Sequence, residues 1–512
     1  MARYNVKQVT PTVTNHQGGT GYALDAKSEL ISILATGLDN KFYESLGEHE
    51  TRLSNVIADV VKQDKSFAAK ALVYARTVMG QRTVTHFGAV QLAKHLSGDE
   101  LGTRFFSKRA RKENKGGIIF RLDDMLEIAA CYKVLNPGKQ LSNGIKKGFK
   151  SALESADEYE LAKYQAKNKD ISLVDIVNLV HPKPSEKMVA VFAKLMKGEL
   201  KQFNTVEDKN TKAGQEIAAK VKSGELTKEQ AEVELKEAKE DNFGELIATR
   251  KIGYLALLRN LRNILKTGGN AELIKNACEL LTDVKLIKQS LVFPHQIDLA
   301  LEVMLDEFGG SGAMPFIKAL NDAYELAIPN LTELFTNGKT AVVFDSSGSM
   351  SSRIALAGGR KGGSEDAIAK AALIAATLAK GIGADVYHFA DSCEAIKFNP
   401  LDSVNTVKKQ FLSKQGSVGY GTSFSSIADT LSNKYDRVFV ISDMQGKDYM
   451  DRTSLKGAHI YAVDLTGYGT TMFKPGSKTY QIFGYGADIY ELVKKVEIDP
   501  KVLIKEIEAI EI

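Results

Sequence analysis

Five oxygen-bearing side chains stand in three short segments of the C-terminal third of this 512-residue chain. The segment DSSGS follows the apolar run TAVVF, and alternate spacing lets its carboxylate and two hydroxyls converge on one point. A threonine in GYGTSFSS and the aspartate that ends RVFVISD complete the set. Oxygen donors without His or Cys favour a hard cation, Mg²⁺ first and Mn²⁺ or Ca²⁺ next. The predicted ligands are Asp345, Ser347, Ser349, Thr422 and Asp443.

The segments around these side chains alternate between strand and helix. From Thr340 onward, TAVVFD, ADVYHFA, RVFVISD and HIYAVDL have the composition of buried strands, and stretches such as EDAIAKAALIAATLAK between them are helical. This alternation predicts a doubly wound parallel sheet, in which ligand sites lie at the carboxyl ends of strands. We therefore predict an α/β domain over residues 338–512.

Two other interpretations of the oxygen cluster remain open. The aspartates could be helix N-caps and the serines ordinary turn residues. Asp345 could also be a phosphoryl-accepting nucleophile, because strand-end aspartates serve in that way. However, no second carboxylate follows closely, and the sequence has no phosphate-cradling lysine motif. We therefore predict binding rather than catalysis, and we expect that the chain is not an enzyme.

The preceding part of the chain has helical periodicity. Between about residues 27 and 333, apolar residues recur at three- and four-residue spacing, as in SELISILATGL and YLALLRNLRNILK. Short connections with caps or breakers such as Asp64 predict antiparallel neighbours in an irregular helical array. Residues 201–241 are rich in Lys and Glu and predict an exposed, charged helical insertion. We assign residues 1–337 to one helical domain.

Charge is unevenly distributed along the chain. The 68 Lys and Arg residues exceed the 63 Asp and Glu residues by only five. Residues 341–512 hold 20 basic and 20 acidic side chains, whereas residues 101–150 hold 12 basic against 4 acidic, a net charge of +8. A focused basic surface favours polyanions, because Lys and Arg displace counterions from phosphates. The alternative is a solvated helical face without a ligand.

Cysteine usage and hydropathy bear on the compartment. The chain has three widely separated cysteines, which cannot build a disulfide framework or a four-cysteine zinc site. Its N-terminus has no apolar leader region, and no stretch of about 18–20 apolar residues occurs. We expect a cytoplasmic protein without a membrane-spanning segment.

The oxygen cluster resembles a known site. The order D-x-S-x-S, then a loop threonine, then a strand-end aspartate is similar to the metal-ion-dependent adhesion site of von Willebrand factor A domains. In those domains few carboxylates hold the ion, which leaves it ready to accept an acidic ligand from a partner. The resemblance covers the whole C-terminal region and implies a protein partner with an acidic ligand, such as an exoribonuclease.

Five strings in the helical part resemble the TROVE module of the Ro ribonucleoprotein autoantigen family. They are NHQGG, LVYARTVMGQR, HPKP, LLRNLRN and SLVFPHQIDLALEVM, in that order. A TROVE module followed by a von Willebrand A domain is the Ro architecture, and a bacterial or phage-type homologue is expected. The resemblance implies a ring of HEAT-like α-helical repeats closed by the α/β domain.

The resemblance also implies a function. Ro proteins bind small structured Y RNAs on an outer basic surface and admit single-stranded 3′ ends of misfolded RNAs into a central hole. The RNA-contacting residues predicted here are Arg109, Arg111, Lys112, Lys146, Lys147, Lys150, His181, Lys183, Arg259 and Arg262. Arg259 and Arg262 would line the hole, unless they are buried partners of other groups, and His181 could simply cap its helix. The main alternative function is a metal-dependent protein-interaction scaffold with no direct RNA role.

Overall fold

The structure, a computed structural model, divides into two compact units. The first comprises Met1–Lys201, Thr332–Phe398 and Lys408–Ile512, and the second comprises Gln202–Leu331 and Asn399–Val407. The described residues are 11, 13–110, 113–165, 170–200, 213–214, 216–217, 220–268, 270–290, 292, 294–308, 312–327, 338–355, 364–450, 455, 457–474, 476, 478–484 and 489–512. The first helices thus group with the sheet by their contacts, and the predicted domain bounds of 1–337 and 338–512 stay predictions.

The helices that precede the sheet in the first unit pack as successive neighbours. In chain order they are α1 (Ala26–Thr36), α2 (Leu46–Thr77), α3 (Thr83–Ala93), α4 (Glu100–Phe105), α5 (Leu122–Leu135), α6 (Asn143–Glu154), α7 (Glu158–Tyr164), α8 (Leu173–Val180) and α9 (Glu186–Lys197). Contacts join α1 to α2, α2 to α3, α3 to α5, α4 to α6 and α6 to α8. This arrangement confirms the predicted helical array. Within the described ranges, no helix is long and apolar enough to cross a membrane.

Capping side chains set where these helices begin. Ser45 opens α2 with a capping box, in which its hydroxyl accepts from the Glu48 N–H and the Glu48 carboxylate accepts from the Ser45 N–H. Inside α2, Asp64 leaves the helical conformation with φ −157°, and its Oδ1 accepts a 2.9 Å hydrogen bond from the Phe67 N–H. Asp64 therefore caps the second half of α2, which confirms it as a helix breaker.

The second unit is also helical. The helices with described bounds are α10 (Lys228–Ala248), α11 (Tyr254–Lys266), α12 (Ala271–Leu281), α13 (Val284–Ser290), α14 (Pro294–Phe308) and α15 (Met314–Ala327). Most residues of α10 are exposed or half-buried, and its buried apolar side chains are Phe243, Leu246 and Ile247 near the C-terminal end. The predicted charged insertion is thus helical and solvated over this stretch, while residues 201–212 lie outside the described residues.

The rest of the first unit is built on a six-stranded sheet. The strands of the chain are β1 (Val13–Thr14), β2 (Thr20–Ala23), β3 (Thr340–Asp345), β4 (Arg353–Ala355), β5 (Ser364–Asp366), β6 (Asp385–Phe389), β7 (Cys393–Ile396), β8 (Arg437–Ser442), β9 (His459–Asp464), β10 (Thr470–Thr471) and β11 (Thr479–Phe483). The main sheet has the order β11-β9-β8-β3-β6-β7. Its pairs are parallel except β6 with β7, which form an antiparallel edge. The predicted parallel sheet is confirmed, with one antiparallel edge strand that the sequence did not reveal.

Helices cover both faces of this sheet. They are α16 (Ala367–Ile382), α17 (Val404–Leu412), α18 (Ser425–Leu431) and α19 (Ile489–Ile498), whereas α20 (Val502–Glu508) packs on α2. Ile427 of α18 shares a buried cluster with Ala341 and Val343 on one face of β3. On the other face, the Phe344 ring stacks on Phe411 of α17 at a centroid distance of 5.8 Å. The sheet is therefore doubly wound, as predicted.

A short hairpin near the N-terminus adds a smaller sheet to the first unit. Strand β2 pairs antiparallel with β1 and with β10, in the order β1-β2-β10. Met472 follows β10, and its sulfur lies 3.1 Å from where a Cβ on Gly21 would stand. The sequence did not predict these strands, because they are two to four residues long and only partly apolar. The hairpin places the segment between β1 and β2 against the α/β part of the unit.

Candidate functional site

The predicted oxygen donors meet at the carboxyl edge of the sheet. Strand β3 lies between β6 and β8, so the chain moves to one side of β3 first and later returns on the other side. Such a switch in strand order opens a crevice at the carboxyl ends of the strands. Asp345 ends β3, and Asp443 follows the last residue of β8. Both carboxylates therefore stand at this crevice.

Hydrogen bonds fix the orientation of Asp345. Its Oδ1 accepts from the Ser347 N–H at 2.8 Å, and its Oδ2 accepts from the Ser442 hydroxyl at 2.6 Å. The hydroxyls of Ser347 and Ser349 lie 3.2 Å apart, whereas the intervening Ser346 hydroxyl turns away to the Phe389 carbonyl. Burial raises the pKa of the Asp345 carboxyl above its ordinary value. The alternate spacing thus brings Asp345, Ser347 and Ser349 together as predicted.

Thr422 is held in place by a loop that Asp391 anchors. The Asp391 Oδ2 accepts hydrogen bonds from the N–H groups of Tyr420 and Gly421, each at 3.1 Å. A Cβ on Gly421 would lie 2.2 Å from the Asp391 Oδ1, so glycine lets this carboxylate approach the loop closely without a shift of the Asp391 side chain. The Lys447 ammonium pairs with the same carboxylate at 2.9 Å. Thr422, which is fully buried, is therefore presented by a braced loop.

Asp443 has a buried oxygen that a cation would satisfy. Its Oδ1 accepts from the Gln445 N–H at 3.0 Å, but its Oδ2 has no hydrogen-bond partner among the described residues. Burial and the neighbouring Asp345 charge raise the pKa of Asp443 well above its ordinary value. In the described part of the chain, no group of three or more His, Cys, Asp or Glu side chains could hold a metal. Two carboxylates completed by three hydroxyls fit a hard cation such as Mg²⁺.

A third strand-end carboxylate has a structural role. Asp464 ends β9, and its Oδ1 accepts from the N–H groups of Thr466 and Gly467 at 3.0 Å and 2.9 Å. Its Oδ2 accepts from the Ser32 hydroxyl at 3.3 Å. Asp464 thus links α1 to the sheet.

The turn between β1 and β2, Asn15–Gly19, contacts the oxygen cluster, and we call it the N-terminal turn. The Gln17 Nε2 donates a 2.9 Å hydrogen bond to the Thr422 Oγ1. The His16 N–H donates to the Gln445 Oε1 at 2.9 Å, and the Asn15 Nδ2 donates to the Gly446 carbonyl at 2.7 Å. Sequence reasoning used this NHQGG string only as part of a resemblance and did not place it here.

Tyr43 lies beside the same cluster. Its ring stacks on His16 with a centroid distance of 5.4 Å and an interplanar angle of 5°. Burial raises the pKa of Tyr43, although the side chains of Gln17 and Ser349 close to its hydroxyl act to lower it. Tyr43 follows Phe42, which is 57% exposed. No sequence signal connected Tyr43 with the oxygen cluster, because it lies about 300 positions earlier in a helical region.

Three predicted lysines form a face of α6, which we call the lysine face: Lys146, Lys147 and Lys150. The opposite side of this helix buries Ile145 and Phe149, so the amphipathic pattern fixes the lysines outward. Lys147 is exposed and the other two are half-buried. None of the three forms a salt bridge to a residue that the structure describes. No described carboxylate therefore pairs directly with these three ammonium groups.

The HPKP segment, residues 181–184, follows α8 and contacts the C-terminal end of α6. His181 is exposed and ends α8 in the left-handed conformation, with φ 46°. It thus caps its helix and also faces solvent. Lys183 is exposed, and its N–H donates a 2.7 Å hydrogen bond to Glu154, the last residue of α6. Since Glu154 lies one turn after Lys150, the structure brings Lys183 beside the lysine face.

In the basic segment before α5, one predicted RNA-contacting side chain is buried rather than exposed. Arg109 is only 2% exposed. Its guanidinium donates to the carbonyls of Gly116, Asn114 and Glu511, so it holds a loop against the C-terminus. The prediction that Arg109 contacts RNA is therefore wrong, because its guanidinium is buried and bonded to loop carbonyls. Arg111 and Lys112 lie outside the described residues.

Arg259 and Arg262 lie on α11, on its exposed side. The alternative that they are buried is therefore not what the structure shows. Arg262 pairs with Glu307 at 3.0 Å, and Lys266 approaches the same carboxylate at 3.8 Å. Arg259 has no ion pair within the described ranges. The two arginines thus share a face of α11, but a described carboxylate neutralises the charge of Arg262 only.

No family model and no curated protein matches the sequence. The crystal structure of the Deinococcus radiodurans RO (RSR) protein is similar, with a TM-score of 0.60, 18% sequence identity, and coverage of 92% of this chain and 100% of that one. At this identity the likeness establishes the fold. The chain therefore has the fold of a Ro protein, with α-helical repeats and a von Willebrand A-like sheet domain.

Proposed function

We propose that this chain is a bacterial Ro-type protein that binds small noncoding RNA. The observation that carries the proposal is the lysine face of α6 with Lys183 beside it, in a chain whose fold matches a Ro protein over 92% of its length. Lysines that form no salt bridge to a described residue attract phosphates, because no carboxylate in direct contact competes for them. His181 adds an exposed ring beside this surface. The RNA that the resemblance implies is a structured Y-type RNA.

We further propose that single-stranded 3′ ends of misfolded RNAs bind near α11. Arg259 supports this part of the proposal because it is exposed and forms no ion pair with a described residue. An uncompensated guanidinium binds phosphate and can also stack on a base. The closed ring and central hole stay predictions from the family resemblance.

Sequencing the RNA that copurifies with the native chain is the first experiment. We expect small structured noncoding RNA, and a purified chain that is free of RNA would contradict the proposal. Binding of the recovered RNA should then weaken with salt. The slope of log K against log salt concentration should be about 0.7–0.9 per phosphate neutralised. Reversal of Lys146, Lys147 and Lys150 to Glu should weaken binding. Because three phosphate contacts are lost, the slope should become shallower by about 2–3.

A matched control separates the lysine face from total charge. Lys222, Lys228 and Lys236 are exposed, so their reversal to Glu changes the net charge equally. This control variant should retain most of the RNA affinity. Equal losses in both triple variants would show that only the overall charge matters, which would contradict the assignment to α6.

We also propose that Asp345, Ser347, Ser349, Thr422 and Asp443 hold a Mg²⁺ ion. The buried and unpartnered Asp443 Oδ2 supports this assignment. When bound, the ion would supply a position for a carboxylate from a protein partner, such as an exoribonuclease. Asp345→Ala should abolish both Mg²⁺ binding and partner capture while RNA copurification continues.

The same variant distinguishes the second candidate function, a protein-interaction scaffold without an RNA role. The oxygen cluster alone would suffice for that function. If the native chain carries no RNA but Asp345→Ala loses a protein partner, the scaffold is favoured. We propose in addition that the chain is not an enzyme. RNA cleavage with Mg²⁺ that disappears in Asp443→Ala would contradict this.

A further inference from the structure

The N-terminal turn meets the proposed cation site through one side chain. Gln17 donates its hydrogen bond to the Thr422 Oγ1 across 405 positions of sequence. This contact places an amide group, which carries a donor and an acceptor, directly against a hydroxyl that we assign to the cation. The remaining residues of the turn show how firmly that amide is positioned.

The turn is organised by Asn15 and seated by Gly19. The Asn15 Oδ1 accepts from the N–H groups of Gln17 and Gly19, at 2.9 Å and 3.2 Å. The Asn15 Nδ2 donates to the Gly446 carbonyl. A Cβ on Gly19 would lie 2.1 Å from that same carbonyl oxygen, so only glycine allows the turn to dock this closely. Gln17 is therefore presented to Thr422 by a specific, close-fitting contact.

The chemistry of a threonine ligand requires an acceptor at this position. A hydroxyl has one proton and two lone pairs, and an oxygen that binds a cation directs its proton away from the ion. The proton of the Thr422 hydroxyl then needs an acceptor on the outer side, where the Gln17 amide lies. A half-turn of this amide exchanges its nitrogen and oxygen at nearly the same distance. Gln17 can therefore donate to Thr422 without the cation and accept from it with the cation.

We propose that Gln17 is a positioning residue for the cation, whose amide oxygen accepts the Thr422 hydroxyl proton when Thr422 binds the ion. The inference rests on the proposed cation site and adds the N-terminal turn to it. Since coupling between two binding events is reciprocal, the docked turn strengthens cation binding and the cation strengthens docking of the turn by the same factor. The cation thus fastens the β1–β2 hairpin to the sheet domain.

Two variants of Gln17 separate this role from a merely structural one. Gln17→Met keeps the size and removes both polar atoms, whereas Gln17→Glu keeps an acceptor and removes the donor. Mg²⁺ affinity is measured by titration calorimetry on the full chain. We expect Gln17→Met to weaken Mg²⁺ binding about ten-fold, as is usual for residues that orient metal ligands. Gln17→Glu should bind Mg²⁺ at least as tightly as the wild-type chain. A loss in Gln17→Glu equal to that in Gln17→Met would overturn the acceptor role.

Hydrogen exchange provides a readout that a structural role would not move. Mg²⁺ should slow amide exchange in residues 13–23 of the wild-type chain and have no such effect in Gln17→Met. Gly19→Ala, which cannot dock, should reproduce the loss of Mg²⁺ affinity. Gly47→Ala is the control, because a Cβ there meets nothing within 4 Å.

The outcomes distinguish this inference from the cation site itself. Wild-type Mg²⁺ binding that is unchanged in Gln17→Met and in Gly19→Ala would overturn the role of Gln17 and leave the cation site standing. An amide exchange rate in residues 13–23 that does not change when Mg²⁺ is added would also overturn the role of Gln17. A wild-type chain that binds no Mg²⁺ would overturn both proposals together.

Discussion

The Lys183 N–H donates a 2.7 Å hydrogen bond to the Glu154 carboxylate, which joins the segment after α8 to the last residue of α6. This contact gives the proposed RNA surface a fixed shape, because it holds an exposed loop beside the lysine face. It also places one negative charge at the edge of that surface, one helical turn from Lys150. Glu154 therefore has two separable effects on RNA binding.

We predict that Glu154→Gln strengthens RNA binding. The amide still accepts the hydrogen bond from Lys183, but the negative charge is removed from beside the lysines. At low salt we expect affinity to rise about two- to three-fold, as for a single exposed charge worth about 0.5 kcal/mol, and the gain should vanish at high salt. Measuring RNA affinity across a salt series tests this.

Asp59→Asn is the matched control for Glu154→Gln. It removes the same charge from an exposed residue that pairs only with Lys62 in the described contacts, at 2.7 Å. We expect no change in RNA affinity from this control. If both variants gain equally, the effect comes from net charge, and Glu154 does not border the binding surface.

The two arginines of α11 should differ in their contributions to single-stranded RNA binding. Arg262 is partly compensated by Glu307 at 3.0 Å, whereas Arg259 has no ion pair among the described residues. Arg259→Ala should therefore reduce the slope of log K against log salt concentration for single-strand binding by about 0.7, the amount for one phosphate contact. Arg262→Ala should change it less. Filter binding with a single-stranded oligonucleotide measures both, and equal effects would contradict the distinction.

The sequence predicted the parts of the fold that depend on local pattern. The helical array, the doubly wound sheet and the break at Asp64 follow from periodicity and capping, which a few neighbouring residues determine. The β1–β2 hairpin could not be predicted, because its strands are stabilised by pairing with β10, more than 400 positions away. The grouping of the first helices with the sheet has the same cause, since it depends on contacts distant in sequence.

The candidate site shows the same division. Asp345, Ser347 and Ser349 converge because their spacing is local, and Asp443 follows from strand-end placement. The place of Gln17 at this site could not be predicted from the sequence, since its contact with Thr422 depends on how the hairpin docks. Arg109 was assigned to the surface from composition, but a basic run does not reveal which cation turns inward to bind loop carbonyls.

Mg²⁺ binding at the oxygen cluster should depend on pH. Burial raises the pKa of Asp345 and of Asp443, so protons occupy these carboxyls more readily before the cation binds. The cation requires the ionised forms, and binding therefore releases protons. Affinity should fall as the pH drops from about 8 to about 6, and the calorimetric heat should vary with the ionisation heat of the buffer. Asp345→Asn should lose binding, and a pH-independent affinity in the wild-type chain would contradict the assignment.

A buried ion-pair network in the helical part provides a prediction about stability. Asp124 is fully buried, and its Oδ1 accepts from the Arg76 guanidinium at 3.0 Å and lies 2.9 Å from the His86 Nε2. Its Oδ2 accepts from the N–H groups of Phe120 and Arg121. Burial alone would raise the pKa of Asp124, but the hydrogen bond from His86 and the charge of Arg76 outweigh it and hold the pKa well below its usual range. The network therefore stabilises the charged form.

We predict that Asp124→Ala lowers the free energy of unfolding by about 3–5 kcal/mol at neutral pH, because Arg76 is left buried without its partner. A folded pKa below the unfolded value near 3.8 means that Asp124 contributes its stability above about pH 4 and loses it as the pH falls further. The difference between wild type and variant should therefore shrink below about pH 4. Urea denaturation followed by circular dichroism at neutral and acid pH measures this difference. Asp59→Ala, which breaks an exposed pair, should lower the free energy of unfolding by no more than about 0.5 kcal/mol. A constant difference at both pH values would show that Asp124 acts through packing and not through its charge.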